Sequence, residues 1–349
     1  MAKMHLSGHK NHSVDAEAQE QEGAGSGPEV ERRAPGAPKK LPKGAWRAVL
    51  KGSLREFKAD ELTDRAAALT YYGILALFPA LLALVSLLGL TGKSTTDKVL
   101  NNIKQFAPGS ARDILTSAVH QLQGNAGIGS LMALVGLVLA IWSASGYVAA
   151  FIRTANVVYD MPEGRPVWKI LPVRLGVTIT LLILAVLSSV IVVFTGGLAR
   201  RAGNALGLGD TALTVWSIAK WPVLVILVTI MIAILYWATP NAKVKGFKWI
   251  TPGSFLALVL WLIASAAFAF YVSNFASYNK TYGTMAGVIV FLIWLWISNL
   301  AILLGLEFDA EAARQRAIAG GHPPQDEPYT QPRDTRKWDE QDRRRLKEM

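Results

Sequence analysis

Residues 284–306 read TMAGVIVFLIWLWISNLAILLGL and contain no charged side chain. A helix needs about 20 apolar residues to cross the hydrocarbon core of a bilayer, and this stretch is long enough to do so. Five earlier stretches have the same apolar character, and Lys220 is the single charged residue in all six. They are residues 69–90, 129–152, 175–198, 213–238 and 251–273. The sequence therefore predicts an all-α polytopic membrane protein, a bundle of six transmembrane helices.

The composition supports this class and excludes several others. Charged residues make up only 17% of the 349 residues, against about a quarter in an average soluble domain. Their concentration outside the six apolar stretches is incompatible with one soluble globule. The chain has no cysteine, which excludes disulfides, iron–sulfur clusters, zinc ribbons and thiol catalysis. We expect no cofactor and no metal site.

Lysine and arginine residues are distributed unequally over the connections between the spans. The segments on one side of the predicted membrane carry 24 of them, counted over 39–68, 153–174, 239–250 and the residues after 306. The segments on the other side carry seven. Cytoplasmic loops are enriched in these residues, so we expect both termini in the cytoplasm.

Two segments before the first span differ in character. Residues 1–38 are rich in Glu, Gln, Gly, Ala and Pro, which predicts a disordered tail. Residues 39–68 are predicted to form a basic amphipathic helix at the cytoplasmic interface, because basic residues recur there at every fourth position. This helix either rests on anionic headgroups or only sets the orientation of the chain.

The transmembrane domain is predicted to cover residues 69–308. Residues 309–349 then form a polar cytoplasmic tail, and its last part, 322–349, is rich in Pro, Asp, Arg and Gln. We expect that last part to be unstructured.

Polar and aromatic side chains inside or beside the spans suggest a central cavity. Tryptophan and tyrosine side chains away from the span ends are not explained by the usual aromatic belts at the interface. Their polar groups line either a polar cavity or the contacts between packed helices, and both interpretations are open. The candidate cavity-lining residues are Tyr71, Tyr72, Trp142, Ser145, Asn156, Trp296 and Asn299.

Small residues and one proline predict how the spans meet. Glycine and alanine at four-residue spacing let helix backbones approach closely, and a proline within a span removes a backbone donor. We expect a kink at Pro79 and close packing at Gly136, Gly146, Gly283, Gly287 and Gly305.

Several short motifs, in this order and at this spacing, resemble the YihY/BrkB family of bacterial inner-membrane proteins, which also bears the label ribonuclease BN. The similarity runs from about residue 45 to 315. The motifs are Ala68-Leu69-Thr70-Tyr71-Tyr72, Phe78-Pro79, Trp142-Ser143-Ala144-Ser145-Gly146, Arg165-Pro166, Thr239-Pro240-Asn241, Pro252-Gly253, Tyr282-Gly283-Thr284 and Gly305-Leu306-Glu307. The resemblance implies a bacterial inner-membrane protein. It also implies a motif at the cytoplasmic face made of Tyr159, Asp160, Pro240, Asn241, Pro252, Gly253 and Glu307.

The resemblance leaves several functions to weigh. We favour transport or exposure of a hydrophobic or amphiphilic envelope molecule, a lipid or its precursor. The alternative is a non-catalytic scaffold or a factor for envelope integrity and serum resistance. The expected partners are the bilayer, its anionic headgroups and an amphiphilic substrate, with no nucleic acid.

The ribonuclease label is the least favoured interpretation. Phosphodiester hydrolysis needs metals held by carboxylates and histidines, or a histidine acid/base pair, and the spans contain no histidine. Carboxylates beside the first, second and sixth spans share one predicted side of the membrane, so a converging acidic site is geometrically conceivable. We therefore expect a protein that is not an enzyme.

Overall fold

The computed structural model describes residues 27–36, 40–90, 126–193, 210–244, 246–274 and 284–348. Within these ranges the structure is helical, and an isolated bridge between Ala242 and Pro332 is its one β-type pairing. The helices are α1 (Pro28–Arg33), α2 (Ala45–Ala59), α3 (Leu62–Leu90), α4 (Ala126–Val158), α5 (Val167–Val193), α6 (Asp210–Ala238), α7 (Gly246–Asn274), α8 (Thr284–Ala319) and α9 (Glu340–Glu348). The all-α prediction is confirmed.

Five of these helices contain a segment long and apolar enough to cross a membrane. The segments are Val135–Val158, Val167–Ser188, Thr211–Ala238, Pro252–Ser273 and Gly287–Ala319. The first predicted span falls on α3, whose side chains are described only as far as residue 76. The side chain of Pro79 and all of Gly283 lie outside the described part, so the kink at Pro79 and the contact at Gly283 stay predictions.

The six long helices form a closed ring. Each of α3 to α8 packs against the next along the chain, and α8 packs back against α3. Both ends of the described chain lie at one end of this ring, because Arg316 of α8 binds Glu31 of α1 and Asn241 after α6 binds Asp334. We call this the packed end.

Buried side chains are concentrated toward the packed end. The core there is made from all six long helices, α3 to α8, and includes Leu69, Phe151, Tyr236, Ala257 and Leu303. In the far half of the ring, Lys220 is the one buried residue among the described side chains of 71–76, 135–139, 179–192, 211–231, 259–273 and 287–297. The described buried side chains are thus concentrated at one end, whereas the far half contributes only partly buried ones such as Trp261 and Trp296 to the core.

The basic segment 39–68 does not form one helix. Helix α2 ends at Ala59, and α3 begins at Leu62 after a turn in which Glu61 has a positive φ of 51°. Helix α2 packs against α8, where Trp46 stacks on Phe308. The expected single helix was wrong because the chain reverses at Asp60 and Glu61 to enter the ring.

The region after residue 308 is also more ordered than we expected. Helix α8 continues past the apolar stretch to Ala319, because the Ala-, Glu- and Arg-rich sequence that follows favours helix. It stops at Gly320 and Gly321, and the latter has a φ of 98°. The expectation of an unstructured segment 322–349 was wrong, since Tyr329, Thr330, Asp334, Thr335 and Trp338 are buried against the packed end.

Candidate functional site

A cavity lined largely by acidic side chains lies at the packed end. It has about 30 Å³ of space for the centre of a water molecule, enough for one or two waters. Helices α2 and α8, the end of α4 and the segment after α8 all contribute to its wall. The lining residues are Glu56, Asp60, Val158, Tyr159, Asp160, Glu307, Ala310, Glu311, Arg314, Tyr329 and Thr330. We call it the acidic cavity.

Two acidic residues of the cavity sit where helices end. Asp160 follows the last turn of α4 and has a positive φ of 49°, a conformation that Asp tolerates better than most residues. The amide of Met161 then donates to the carbonyl of Asn156 at 2.9 Å, which closes the helix end. Asp60 occupies the corresponding position after α2, where its amide donates to the carbonyl of Glu56. Both carboxyls are therefore carried by tight turns beside the cavity.

Helix α8 supplies the most deeply buried acids. Glu307 is 2% exposed, and Asp309 and Glu311 are also buried. Asp309 faces α7, where its Oδ1 accepts a hydrogen bond from the amide of Gly253 at 2.7 Å. Glu307 and Glu311 face the cavity. Their four-residue spacing places them on one side of α8.

Several polar atoms around the cavity have no hydrogen-bond partner within the described ranges. They are the hydroxyl of Tyr159, Oε2 of Glu307, Oδ2 of Asp309 and Oγ1 of Thr330, and each belongs to a residue at least nine-tenths buried. Buried polar atoms are nearly always paired, so unpaired ones point to water or a ligand at that place. The Tyr159, Glu307 and Thr330 atoms belong to residues that line the cavity.

The lining of the acidic cavity contains five carboxyl groups and one positively charged side chain, that of Arg314. Arg314 lies 3.3 Å from Glu56 and 3.6 Å from Glu311, with its guanidinium over the ring of Tyr329. With five carboxyl groups and one guanidinium, the cavity lining has more acidic than basic groups. Burial, with the charges of Glu327, Asp60 and Glu56, raises the pKa of Asp160 to about 8 although Arg314 opposes the shift. Burial and the charge of Glu56 raise the pKa of Asp60 to about 6, although Arg65 opposes it.

The acidic cavity is therefore suited to holding protons near neutral pH. A carboxyl with a pKa of about 8 is protonated at pH 7, and one with a pKa of about 6 is mostly ionised. Among the residues that the structure describes, no three His, Cys, Asp or Glu side chains are grouped so that they could bind one metal ion.

A network of amides and charges ties the neighbouring segments together. The amide of Asn241 donates to Oδ1 of Asn156 at 2.7 Å, and its side chain donates to the carbonyls of Pro162 and Asp334. Asn156 donates to Glu163, which also holds Arg165 at 2.7 Å. This Asn network connects α4, the turn after α6 and the C-terminal segment.

The charge of Asp334 is held firmly in this network. Burial alone would raise the pKa of this carboxyl, but hydrogen bonds from Arg336 and Lys169 outweigh burial and keep the pKa well below its ordinary value. Asp334 thus stays ionised at the pH at which the acidic cavity takes up protons.

The predicted cavity residues do not surround one space. Tyr71 is 60% exposed and Trp142 is 56% exposed, on the outer side of α3 and α4, with Tyr72 and Ser145 beside them. The prediction rested on the position of these aromatic residues away from the span ends, which does not distinguish an inward-facing from an outward-facing side chain. Asn299 lies inside the ring, where it accepts from Tyr147 and donates to Thr70. Asn156 belongs to the Asn network, and Trp296 donates to the carbonyl of Thr63 at 3.3 Å.

The predicted packing glycines also differ from one another. A Cβ on Gly305 would lie 2.5 Å from the carbonyl oxygen of Gly253, so these two glycines let α7 and α8 cross closely. A Cβ on Gly146 would make an ordinary contact with Tyr72, and one on Gly287 would meet no described atom within 4 Å. Gly136 is half-buried. Pro252 is half-buried within α7, and Pro240 is buried beside Thr239.

The predicted cytoplasmic-face motif contributes three residues to the acidic cavity, namely Tyr159, Asp160 and Glu307. The sequence also placed Asp60 and Glu311 among the carboxylates that could converge on one side of the membrane, with Arg314 as a pairing partner, but it missed the contributions of Glu56, Tyr329 and Thr330. The Glu307–Glu311–Arg314 spacing, at i, i+4 and i+7, would have placed three of the lining groups on one helical face if α8 had been extended beyond residue 306.

Comparison with known proteins agrees with the resemblance of the motifs. The family model described as virulence factor BrkB matches residues 53–330. The Bacillus subtilis protein YfkH, whose name calls it ribonuclease-like, is 33% identical over 276 residues, covering 79% of this chain and 99% of YfkH. The Haemophilus influenzae UPF0761 membrane protein NTHI0384 is 28% identical over 269 residues, covering 72% of this chain and 90% of that protein. No solved structure matches the chain. The chain is a membrane protein that belongs to the BrkB family.

Proposed function

We propose that this protein is a non-catalytic transporter of the bacterial cytoplasmic membrane. It moves or exposes a hydrophobic or amphiphilic envelope molecule, and it binds protons in the acidic cavity as part of that cycle. Both termini are placed in the cytoplasm in this proposal, in keeping with the excess of lysine and arginine on that side.

The acidic cavity is the observation that carries the proposal. An ionisable residue buried in a membrane protein is costly, and such residues commonly form proton relays in transporters. Glu307 lies inside the last long helix rather than after it, and its Oε2 has no partner within the described ranges. A protein that only needed a stable bundle would gain stability from an apolar residue there.

The shape of the ring supports movement of an amphiphile. In the described ranges of the far half, Lys220 is the one buried side chain, so fewer buried contacts hold these helices together than at the packed end, which favours their separation around an apolar chain. The indoles of Trp261 and Trp294 bind Ser298 and Ser265 and connect α7 with α8 in that half. The packed end would act as the fixed part of the ring and the far half as the adaptable part.

A ribonuclease is a weaker interpretation. The carboxyls do converge, as the sequence allowed, and one relative is called ribonuclease-like. No histidine lines the acidic cavity, so among the described residues it offers no imidazole acid or base for phosphodiester hydrolysis. A non-catalytic scaffold is the remaining alternative, but a scaffold does not require the buried, unpaired carboxyl of Glu307.

Transport can be tested with the purified full chain in vesicles of phosphatidylethanolamine and phosphatidylglycerol. The probe is a trace of fluorescent phosphatidylglycerol, whose movement between leaflets is followed by adding a membrane-impermeant quencher. We expect the protein to accelerate this movement at least tenfold and the rate to change between pH 6 and pH 9. Glu307→Gln and Asp160→Asn should remove the pH dependence.

Glu340→Gln is the matched control, because Glu340 is an exposed residue of α9 far from the cavity lining. It should behave as the unaltered protein does. No acceleration at any pH would contradict transport of this lipid class, and a pH dependence that survives both cavity variants would contradict the assigned site.

The outer face of α2 also fits a partner that the sequence suggested. Arg47, Leu50, Lys51, Leu54 and Lys58 are exposed on one side of this helix, with basic and apolar residues interleaved. We propose that this face rests on anionic headgroups, to which each basic residue contributes about 1 kcal/mol near the surface.

A further inference from the structure

Two arginines lie on the outer surface of the ring, where α4 meets α3 and α5. The inner side of α4 is marked by Tyr147, which binds Asn299 of α8, and by Phe151, which stacks on Tyr236 of α6. At 100° per residue, Trp142 and Arg153 lie on the opposite side of the helix. They face away from the centre of the ring and away from the acidic cavity.

Arg174 of α5 is held firmly in this place. Its Nε donates to both the carbonyl oxygen and the hydroxyl of Ser145 at 2.8 Å, and its guanidinium lies 5.1 Å from the centre of the Trp142 ring. These contacts involve Nε, Nη2 and one face of the guanidinium, because Nη2 also donates to the carbonyl oxygen of Trp142 at 3.5 Å. They include no carboxylate.

The side chain of Arg153 makes fewer contacts than that of Arg174. Its guanidinium lies 5.6 Å from the centre of the Tyr72 ring, and it makes no hydrogen bond or ion pair with any residue that the structure describes. Tyr72 in turn packs against Gly146, one residue from Ser145. Because Tyr72 lies beside Gly146 and Arg174 binds the adjacent Ser145, the two arginines occupy the same stretch of the outer surface of α4.

The surroundings of this Arg pair are apolar. Tyr71 and Trp142 are the large exposed side chains beside it, and both arginines lie within segments that could span a membrane. At 1.5 Å per residue, Arg153 is about 8 Å from the end of α4 and Arg174 about 10 Å from the start of α5. That is the depth at which a helix passes from hydrocarbon into headgroups. Two cations without an anion are costly there.

We propose that Arg153 and Arg174 bind the phosphate of an anionic phospholipid headgroup on the outer face of α4 and α5. Guanidinium groups recognise phosphate through paired, charge-assisted hydrogen bonds, and aromatic faces hold them in position. The lipid's acyl chains lie along the exposed apolar surface of the two helices. This site is separate from the acidic cavity and does not depend on the transport proposal.

Native mass spectrometry of the full chain tests this site. The delipidated protein is titrated with phosphatidylglycerol, with phosphatidylcholine and with inorganic phosphate. We expect one phosphatidylglycerol to bind at least tenfold more tightly than phosphatidylcholine, and inorganic phosphate not to displace it at equal concentration. Arg153→Gln should lower the affinity for phosphatidylglycerol at least tenfold and should fold normally, because Arg153 has no described polar partner.

Two further variants distinguish binding at the Arg pair from binding elsewhere on the protein. Arg32→Gln removes a charge from an exposed position on α1 and should leave the affinity unchanged. Glu307→Gln alters the acidic cavity and should also leave it unchanged, so this test can succeed when transport fails. The proposal is overturned if Arg153→Gln binds phosphatidylglycerol as tightly as the unaltered chain, if phosphatidylcholine binds equally well, or if inorganic phosphate displaces the lipid.

Discussion

Asp160 shows how a single residue connects backbone conformation with chemistry. It ends α4 with a positive φ, and its half-buried carboxyl lines the acidic cavity. The sequence placed Asp160 in the cytoplasmic-face motif only through the family resemblance. Its neighbours Glu56 and Glu327 come from distant parts of the chain, so no local pattern could reveal the burial and charge that raise its pKa.

The pKa of Asp160 predicts a pH-dependent stability. The carboxyl is neutral in both the folded and unfolded states below about pH 4, so its effect on stability is then smallest. Stability falls as the pH rises toward 8, because the unfolded chain ionises first and the folded one resists ionisation. Asp160→Asn should therefore raise the melting temperature by a few degrees at pH 9 and leave it unchanged near pH 4.

Thermal unfolding in detergent at pH 4 and pH 9 measures this effect. Glu340→Gln, an exposed acidic residue, serves as the control and should shift neither value. A lower melting temperature for Asp160→Asn at pH 9 would mean that the ionised carboxyl stabilises the fold, against this account.

Asn241 is the residue whose loss should disturb the packed end most. It is fully buried, it donates to two carbonyls and its Oδ1 accepts from the amide of Asp334 at 3.1 Å. Asn241→Ala leaves these groups unpaired and should cost about 2–4 kcal/mol. We expect faster proteolysis after residue 321, measured by mass spectrometry of the fragments. Exposed Gln341→Ala should not change the rate, and equal rates for both variants would refute the role of the network.

At the scale of the elements, the crossing of α7 and α8 depends on two glycines. A methyl group on Gly305 would meet the backbone oxygen of Gly253, Cβ of Ala257 and the hydroxyl of Tyr236, all within 2.7 Å. The repeat of small residues predicted Gly305 as a packing position. It could not distinguish Gly305 from Gly287, which has nothing within 4 Å of an added Cβ.

These two glycines give a matched pair of variants. Gly305→Ala should destabilise the protein by about 1–3 kcal/mol, because the backbones must move apart. Gly287→Ala should be neutral or slightly stabilising, since alanine favours helix and meets no neighbour. Melting temperatures of both variants at pH 7 provide the measurement. A Gly305→Ala protein as stable as Gly287→Ala would show that the crossing is not tight.

The ends of the elements were harder to predict than their existence. The long helices could be identified from the length of their apolar stretches, because a helix that crosses the hydrocarbon core needs about 20 apolar residues in a row. Helix α8 extends beyond Leu306 because alanines and charged helix formers continue it, and α2 ends at Ala59 because the chain turns at Asp60 and Glu61. The C-terminal segment is ordered through contacts with Asn241 and Pro162, which lie far away in sequence.

At the scale of the whole molecule, both described terminal segments meet at the packed end. The family, the all-α class and the membrane location followed from the sequence. The convergence of five carboxyls on a water-sized cavity did not, because it arises from the closure of the ring and the docking of the C-terminal segment.

The orientation of the whole molecule can be measured directly because the chain has no cysteine. In a Glu340→Cys variant, a membrane-impermeant maleimide should label the new cysteine weakly in intact spheroplasts and fully in permeabilised ones. This result follows if the packed end faces the cytoplasm, where the excess of lysine and arginine places it. Full labelling of intact spheroplasts would show that the packed end faces the outside of the cytoplasmic membrane, opposite to the predicted orientation.

The central claim is that the acidic cavity holds exchangeable protons, and infrared difference spectroscopy tests it most directly. The spectrum of the full chain at pH 6 minus that at pH 9 should contain a protonated-carboxyl band that shifts in D₂O. Asp160→Asn and Glu307→Gln should each weaken this band, and Glu340→Gln should leave it intact. A band that is absent, or one that both cavity variants leave unchanged, would contradict the account.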